Sequence, residues 1–417
     1  MAERARHCER PAPTVFVRTL GCKVNRTESE QIAAALIGEG AVLGPEEEAD
    51  VVVINTCTVT GEADRKARKA VRHALGAAAS PVVVVTGCLA ALDAKGLESL
   101  GDRVVVEPDK EQVAARVSAL LGVWNPLSVV AAVRHGEGFR VRAGVKVEDG
   151  CDAFCAYCIV PFARGAPRSV STRSVLREVE DLVASGTREV VLTGINIGRY
   201  SSEGLGLAGL VEAVADTGVR RIRISSIEPL DLTEGLLDVF AATPQLCPHL
   251  HVPLQSGSDA VLASMKRGYT VEEYRERIAM VRQRIAGVAI TTDVMVGFPG
   301  ESPRDFEDTL ELVEEVGFTR LHVFRYSKRE GTAAAAMPFQ VAPEESVRRA
   351  RVLRGRDRHL RATYAESRRG EAAELLVEEV STSGSDRSAI GTTGDYLRAS
   401  IAADDVAPGD LVRVRLG

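Results

Sequence analysis

Three apolar runs near the N-terminus, "TVFVRTL", "DVVVIN" and "PVVVVTG", constrain the fold more than any other feature, being compact, rich in valine and bounded by turn residues. Runs of this kind are buried strands of a parallel sheet. Parallel neighbours need crossovers, and the intervening "ESEQIAAALIGEG" and "EADRKARKAVRHALG" carry helical periodicity and close near glycine. Thr14 to about Gly122 is therefore expected to be a doubly wound α/β domain. Each strand run is followed by a cysteine, Cys22, Cys57 or Cys88, just past its carboxyl end, where open parallel sheets place their ligands.

Those three belong to a set of eight cysteines in 417 residues. No apolar segment long enough for a secretory leader or a membrane span is present, so a soluble, cytosolic protein is expected. Thiols stay reduced there, and scattered cysteines in a long chain then point to metal or redox chemistry rather than to disulfides. With 45% hydrophobic residues the chain has material for two or three packed domains.

Past a linker from about Trp124 to Gly138, a longer βα series begins. Strands are read at "RAGVKVE", "REVVLTG", "RIRISS", "HLHVPL", "AITTDVMVG" and "LHVFRY", with helical patterns such as "SVLREVEDLVASG" between them. Six strands are fewer than a closed barrel uses, which predicts a partial (βα)6 barrel with its functional residues at the C-terminal strand ends. After Gly370, "AAELLVEEV", "RSAIGTTGDYLRASI" and "GDLVRVRLG" alternate in period two and predict a small antiparallel β module. The expected domains are residues 12–123, 137–365 and 366–417.

The stretch "GCDAFCAYCIVPFARG" places Cys151, Cys155 and Cys158 within eight positions, and no fourth cysteine or histidine follows nearby. A structural zinc site closes with four ligands, and a disulfide would strand one thiol. Three thiolates can hold three irons of a cubane cluster and leave the fourth open to a small molecule. Polar residues at the other strand ends fit a site at one mouth: Gly194 and Asn196 in "LTGINIG", Ser225 and Glu228 in "RISSIEP", His251 and Gln255 in "HVPLQSG", and Asp293, Phe298 and Glu301 in "DVMVGFPGE". Each of these taken singly also reads as a turn or cap residue. Cys22, Cys57 and Cys88 form a second incomplete tripod, while Cys8 and Cys247 are read as free thiols.

The cluster loop, with Tyr157 just before its last cysteine, resembles the radical S-adenosylmethionine (SAM) superfamily. Together with "TLGCKVN", "INTCTVTGEADRKARK" and "VVLTGINIG" it resembles the methylthiotransferase family over nearly the whole chain, most closely the branch acting on N6-threonylcarbamoyladenosine at position 37 of tRNA. The resemblance implies two 4Fe-4S clusters, one on Cys151, Cys155 and Cys158 and one on Cys22, Cys57 and Cys88. It also implies SAM near Tyr157, Gly194, Asn196, Ser225, Glu228, Gln255 and Phe298. No catalytic residue beyond the cluster ligands is expected, since a carbon-centred radical reaches a C–H bond too weakly acidic for a His or Glu base. The implied partners are a tRNA anticodon loop and an electron donor. The terminal β module is implied to be an RNA-binding, TRAM-like domain. Sister activities on isopentenyladenosine or on a ribosomal protein aspartate, and a non-catalytic iron-sulfur RNA-binding adaptor, are the competing readings.

The net charge of -6 does not itself suggest nucleic acid, but nine arginines lie between Ser346 and Gly370. That run reads either as a solvated helix face or, with Tyr396 and Arg398 of the β module, as an RNA surface.

Overall fold

The computed structural model describes residues 12–122, 139–383, 386–402 and 405–417; Cys8 and the expected linker lie outside the described residues. The chain divides into two compact units, Met1–Thr58 with Glu62–Arg134 and Val59–Gly61 with His135–Gly417.

In the first unit the strands are β1 (Thr14–Thr19), β2 (Val42–Leu43), β3 (Val51–Thr56), β4 (Val82–Gly87) and β5 (Val104–Val106), all parallel in the order β2-β1-β3-β4-β5. Helices α1 (Lys23–Gly38), α2 (Gly61–Leu75), α3 (Cys88–Leu92), α4 (Ala94–Glu98) and α5 (Val113–Leu121) complete it. Successive strand residues point to opposite faces, so the valine runs fill two cores at once. Val52, Ile54, Val83 and Val85 pack with Ala67 and Val71 of α2 on one side. Val51, Val53 and Val84 meet Ile32 and Leu36 of α1 and Val117 of α5 on the other. Helix α1 begins at Lys23, directly after Cys22 and well before the apolar pattern announces it, because its first turns bury polar Asn25, Thr27 and Glu28.

The second unit carries β6 (Arg142–Lys146), β9 (Glu189–Thr193), β12 (Arg221–Ile224), β13 (His249–His251), β14 (Ala289–Val296) and β15 (Arg320–Arg325) as its parallel series. Short pieces sit between them: β7 (Glu148–Asp149) pairs with β8 (Arg168–Ser169), and β10 (Ser201–Ser202) with β11 (Leu205–Gly206). The sheets β6-β9-β12 and β13-β14-β15 are joined by the parallel bridges Ile222↔Leu246 and Ser226↔His251, so that six strands follow one another in chain order. Around them lie α6 (Val160–Arg164), α7 (Thr172–Ala184), α8 (Leu207–Ala215), α9 (Glu234–Ala242), α10 (Asp259–Ser264), α11 (Val271–Arg284), α12 (Pro303–Val316) and α13 (Pro343–Ser367). Two of their starts are written in the sequence: Thr270 with Glu273, and Ser302 with Asp305, form capping boxes, the latter with Pro303 at the first helical position.

Alternate residues Val145, Leu192, Ile224, Leu250, Val294 and Leu321 belong to the large apolar core under the helices. The intervening residues are Arg142, Glu189, Arg223, His251, Asp293 and His322, so the lumen is charged where ordinary barrels pack branched aliphatics. The chain ends in an antiparallel sheet of β16 (Ala372–Ser383), β17 (Asp386–Thr393), β18 (Arg398–Ala402) and β19 (Leu411–Arg415), ordered β18-β17-β16-β19.

That sheet grips the amino end of the barrel strands. Glu189 holds Arg221 and Arg223, at 2.8 and 2.9 Å, and Arg223 donates onward to the carbonyls of Gly394 and Thr393. Tyr396, at φ +71, stacks on His249 with centroids 4.6 Å apart, and Arg223 and Arg142 lie over its ring. This corrects the expectation that Tyr396 belongs to an RNA surface; its ring is occupied by the barrel floor, while Arg398 is exposed and pairs with Glu379. Cys247 is buried beside the same arginines, and burial pushes its thiol pKa up.

Candidate active site

In the first unit the three cysteine loops are tied together by glycines and amides. Gly21 has φ +108, and a Cβ there would fall 2.6 Å from Cys57 Cβ and 2.9 Å from its Sγ, so only glycine lets these loops touch. Asn25 Nδ2 donates to the carbonyls of Leu20 (3.0 Å) and Thr56 (2.8 Å). Asn55 Nδ2 returns bonds to the Asn25 carbonyl and the Ser29 hydroxyl, at 2.9 and 3.1 Å. The third loop joins through Thr56, whose hydroxyl donates to the Thr86 carbonyl at 2.6 Å, and through Gly87, where a Cβ would lie 2.4 Å from the Thr56 carbonyl oxygen. Cys57 and Cys88 are buried and Cys22 is exposed. The words "LGCKVN", "INTC" and "TGC" thus encode loop closure as well as thiols.

In the second unit the loop from Gly150 to Gly165 is closed by the β7–β8 pair, by the Cys151 amide donating to the Gly165 carbonyl (3.0 Å) and by Arg164 pairing with Asp149 (2.7 Å). Its middle is pinned where the Ala156 amide donates to the Met265 carbonyl and the Ala156 carbonyl accepts from the Ala334 amide. Beneath lie Val261, Met265, Phe298 and Ala334. Phe298 has no exposed surface and meets Tyr326 edge-on at 5.7 Å, so it supports the loop from below instead of contacting a cofactor, contrary to expectation. Cys151, Cys155 and Cys158 are each half-buried. Burial pushes the Cys158 thiol up to about 12 and raises Cys151 as well, so iron uptake here must release protons.

Around the loop, Tyr157, Cys155, Cys158, Glu228 and Arg267 form one electrostatic neighbourhood. Burial raises the Glu228 carboxyl while its ion pair with Arg267 opposes that. Gly194 is glycine because a Cβ would meet Glu148 Oε2 at 2.9 Å; that carboxylate accepts from the Asn196 amide at 2.7 Å. Burial raises Glu148 too. Gln255 sits at φ +66, its backbone bonded to the Asp293 carbonyl and the Met295 amide. Deeper in the lumen, Asp293 Oδ1 lies 3.1 Å from His251 Nε2 and 3.3 Å from His322 Nδ1. The Thr291 hydroxyl bridges His251 and His249 at 2.9 and 3.1 Å. Burial would raise Asp293, but the bonds and charge of the two histidines win and hold it well below the usual carboxylate range.

Glu301 is drawn away from the mouth into a buried pair with Arg349 of α13, at 2.7 Å. Arg348, Arg356, Arg361, Arg368 and Arg369 also have carboxylate partners, but these pairs lie at the surface, where ion pairs are weak. Sequence reasoning missed Arg267, Glu148 and Asn25. Their signals are ordinary single polar residues inside "MKRGYT", "VEDG" and "CKVN", with partners far away in the chain.

Three half-buried thiols in one loop at the mouth of a partial barrel are the arrangement an iron-sulfur enzyme would use to leave one iron open to a small molecule. Comparison with known proteins agrees with that class and sharpens it. Residues 145–313 match the Radical SAM superfamily, and residues 14–106 match the Uncharacterized protein family UPF0004. Threonylcarbamoyladenosine tRNA methylthiotransferase MtaB of Bacillus subtilis is 36% identical over 97% of this chain and 93% of its own. The tRNA-2-methylthio-N(6)-dimethylallyladenosine synthase of Chlorobium luteolum is 33% identical over 96% and 94%. Among solved structures, the radical SAM methyltransferase TsrM from Kitasatospora setae shares the fold, with TM-score 0.55, 15% identity and coverage of 78% and 77%.

The chain belongs to the methylthiotransferase family of radical SAM enzymes. That family's cofactors are SAM and a 4Fe-4S cluster, and the site fits them. Thr193 Oγ1, Asn196 Oδ1 and Ser225 Oγ are buried at neighbouring strand ends without a protein partner, as groups awaiting a polar ligand would be. Among the described residues, no helix is long and apolar enough to cross a membrane.

Proposed function

We propose that this enzyme converts N6-threonylcarbamoyladenosine at position 37 of tRNA to its 2-methylthio derivative, in the cytoplasm, using an external one-electron donor. What supports the reading is two sets of three cysteines, Cys151, Cys155 and Cys158 in one loop of the barrel and Cys22, Cys57 and Cys88 past three strand ends of the first unit. The match to a relative named for this nucleoside over nearly the full length supports it over the prenyl-adenosine branch.

In this reading Cys151, Cys155 and Cys158 hold the cluster that meets SAM, and Cys22, Cys57 and Cys88 hold a second. When bound, the first cluster with SAM supplies a 5'-deoxyadenosyl radical, the reagent that a neutral C–H bond requires. Tyr157, Asn196, Ser225, Glu228 and Gln255 orient SAM: the Ser225 hydroxyl and the Asn196 amide oxygen, which lack protein partners, offer hydrogen bonds, and Glu228 offers a negative charge to its ammonium. Glu148 holds the Asn196 backbone in place, and Phe298 keeps the cluster loop from sinking. An anticodon loop suits the chemistry because its unstacked bases can be presented to a mouth.

Mass spectrometry of tRNA nucleosides from a deletion strain tests the substrate. The 2-methylthio threonylcarbamoyl nucleoside should vanish, return with the wild-type gene and not return with Cys57→Ala, although purified Cys57→Ala still cleaves SAM when reduced. Loss of the prenylated methylthio nucleoside instead would move the enzyme to the sister branch. Failure of the reduced wild-type protein to cleave SAM would leave only the adaptor reading.

A further inference from the structure

Arg267 follows α10 and is held from several sides. Its side chain is 5% exposed and paired with Glu228. Nη1 donates to Cys155 Sγ at 3.3 Å, and Nε donates to the Tyr269 hydroxyl at 3.2 Å. The guanidinium carbon lies 5.3 Å from the centre of the Tyr269 ring. Tyr269 is fixed in turn, its hydroxyl shared between the carbonyls of Pro253 and Leu254. A planar fork is suited to this task, since a lysine could not reach sulfur, carboxylate and hydroxyl together.

We propose that Arg267 sets the reduction potential of the cluster held by Cys151, Cys155 and Cys158, and that Glu228 opposes it. The proposal rests on the ligand assignment above. Reduction adds one negative charge to the cluster. A fixed cation donating a hydrogen bond to a ligating sulfur favours that state, because hydrogen bonds to cluster sulfurs and nearby charge tune such potentials. Burial keeps salt from screening the effect. Glu228 places a negative charge on the same guanidinium and works in the opposite direction. Arg267 is therefore a positioning and tuning residue, acting through Cys155.

The test is a redox titration of the full-length, cluster-loaded protein followed by electron paramagnetic resonance, with the barrel signal assigned as the one lost in Cys158→Ser. In Arg267→Gln the reduced fraction at a fixed negative poise should drop about tenfold, a shift of about 59 mV for a one-electron couple. Arg267→Lys should fall between Gln and wild type, and it carries the test if Gln fails to hold iron. Glu228→Gln should move the potential upward. A loosened loop alone has no reason to give opposite signs. Unchanged potentials, or shifts of the same sign in Arg267→Gln and Glu228→Gln, would overturn the proposal while leaving the cluster assignment standing. If Cys158→Ser removes no signal, the ligand assignment itself fails and the proposal with it.

Discussion

Gly21 shows how much of the first tripod depends on a missing atom. In Gly21→Ala the new Cβ would stand 2.6 Å from Cys57 Cβ, at a φ of +108 that alanine rarely adopts. Overpacking of this kind costs about 1–3 kcal/mol. The expected result is a lower urea midpoint and, on the proposal that Cys22, Cys57 and Cys88 hold a second cluster, loss of about half the bound iron with the barrel signal kept; iron analysis beside a denaturation curve measures both. The six cysteines stand out in the sequence by their spacing and by their places after strand runs, local signals that need no partner far away in the chain. Arg267 does not, since its sulfur partner lies 112 positions away and nothing local marks it. Phe298 and Tyr396 mislead for a related reason: an aromatic residue at a loop is visible in the sequence, but which side of the loop its ring faces is decided by packing.

At the scale of elements, the strand runs and capping boxes announce themselves, because period-two burial and Ser/Thr with Glu/Asp spacing are local signals. His251 and Asp293 are visible in their strand words, but no local signal gives their pairing with each other and with His322 across β13–β15. Asp293 is held low in the folded state between His251 and His322, whereas in the unfolded chain it titrates near its ordinary value of about 4. A depressed carboxylate contributes stability that is fully present above that ordinary value and lost as pH falls through the folded one. Asp293→Asn should therefore flatten the acid limb of the stability profile below about pH 4, the wild type losing about 1 kcal/mol more by about pH 3. Urea midpoints measured from neutral pH down to about pH 3 for both proteins check this, and parallel profiles would count against it.

For the whole molecule, the decisive contact is the floor of the barrel. Removing one partner of a buried ion pair costs about 3–5 kcal/mol. Arg223→Met leaves Glu189 with Arg221 but removes the Arg223 bonds to the Gly394 and Thr393 carbonyls, so residues 371–417 should detach first. Limited proteolysis should release that module faster than in wild type, while SAM cleavage at the opposite ends of the strands persists. The arginine run is ambiguous in sequence for a like reason: a guanidinium serves a carboxylate of its own chain as readily as a phosphate, as buried Arg349 does with Glu301, and only packing tells which.

The manner of that attachment matters beyond stability. Arg221 and Arg223 grasp the carbonyls of Thr392, Thr393 and Gly394, groups every residue possesses. The clamp reads side chains as well: Arg142 pairs with Glu378 at 2.8 Å, and Asp395 takes both Arg368 and the Tyr364 hydroxyl. The berth on the catalytic body is thus keyed to a few positions, Glu378, Asp395 and Tyr396, and the rest of the module's outward face is free to drift. A lineage can change that outer face and leave the chemistry of the barrel untouched.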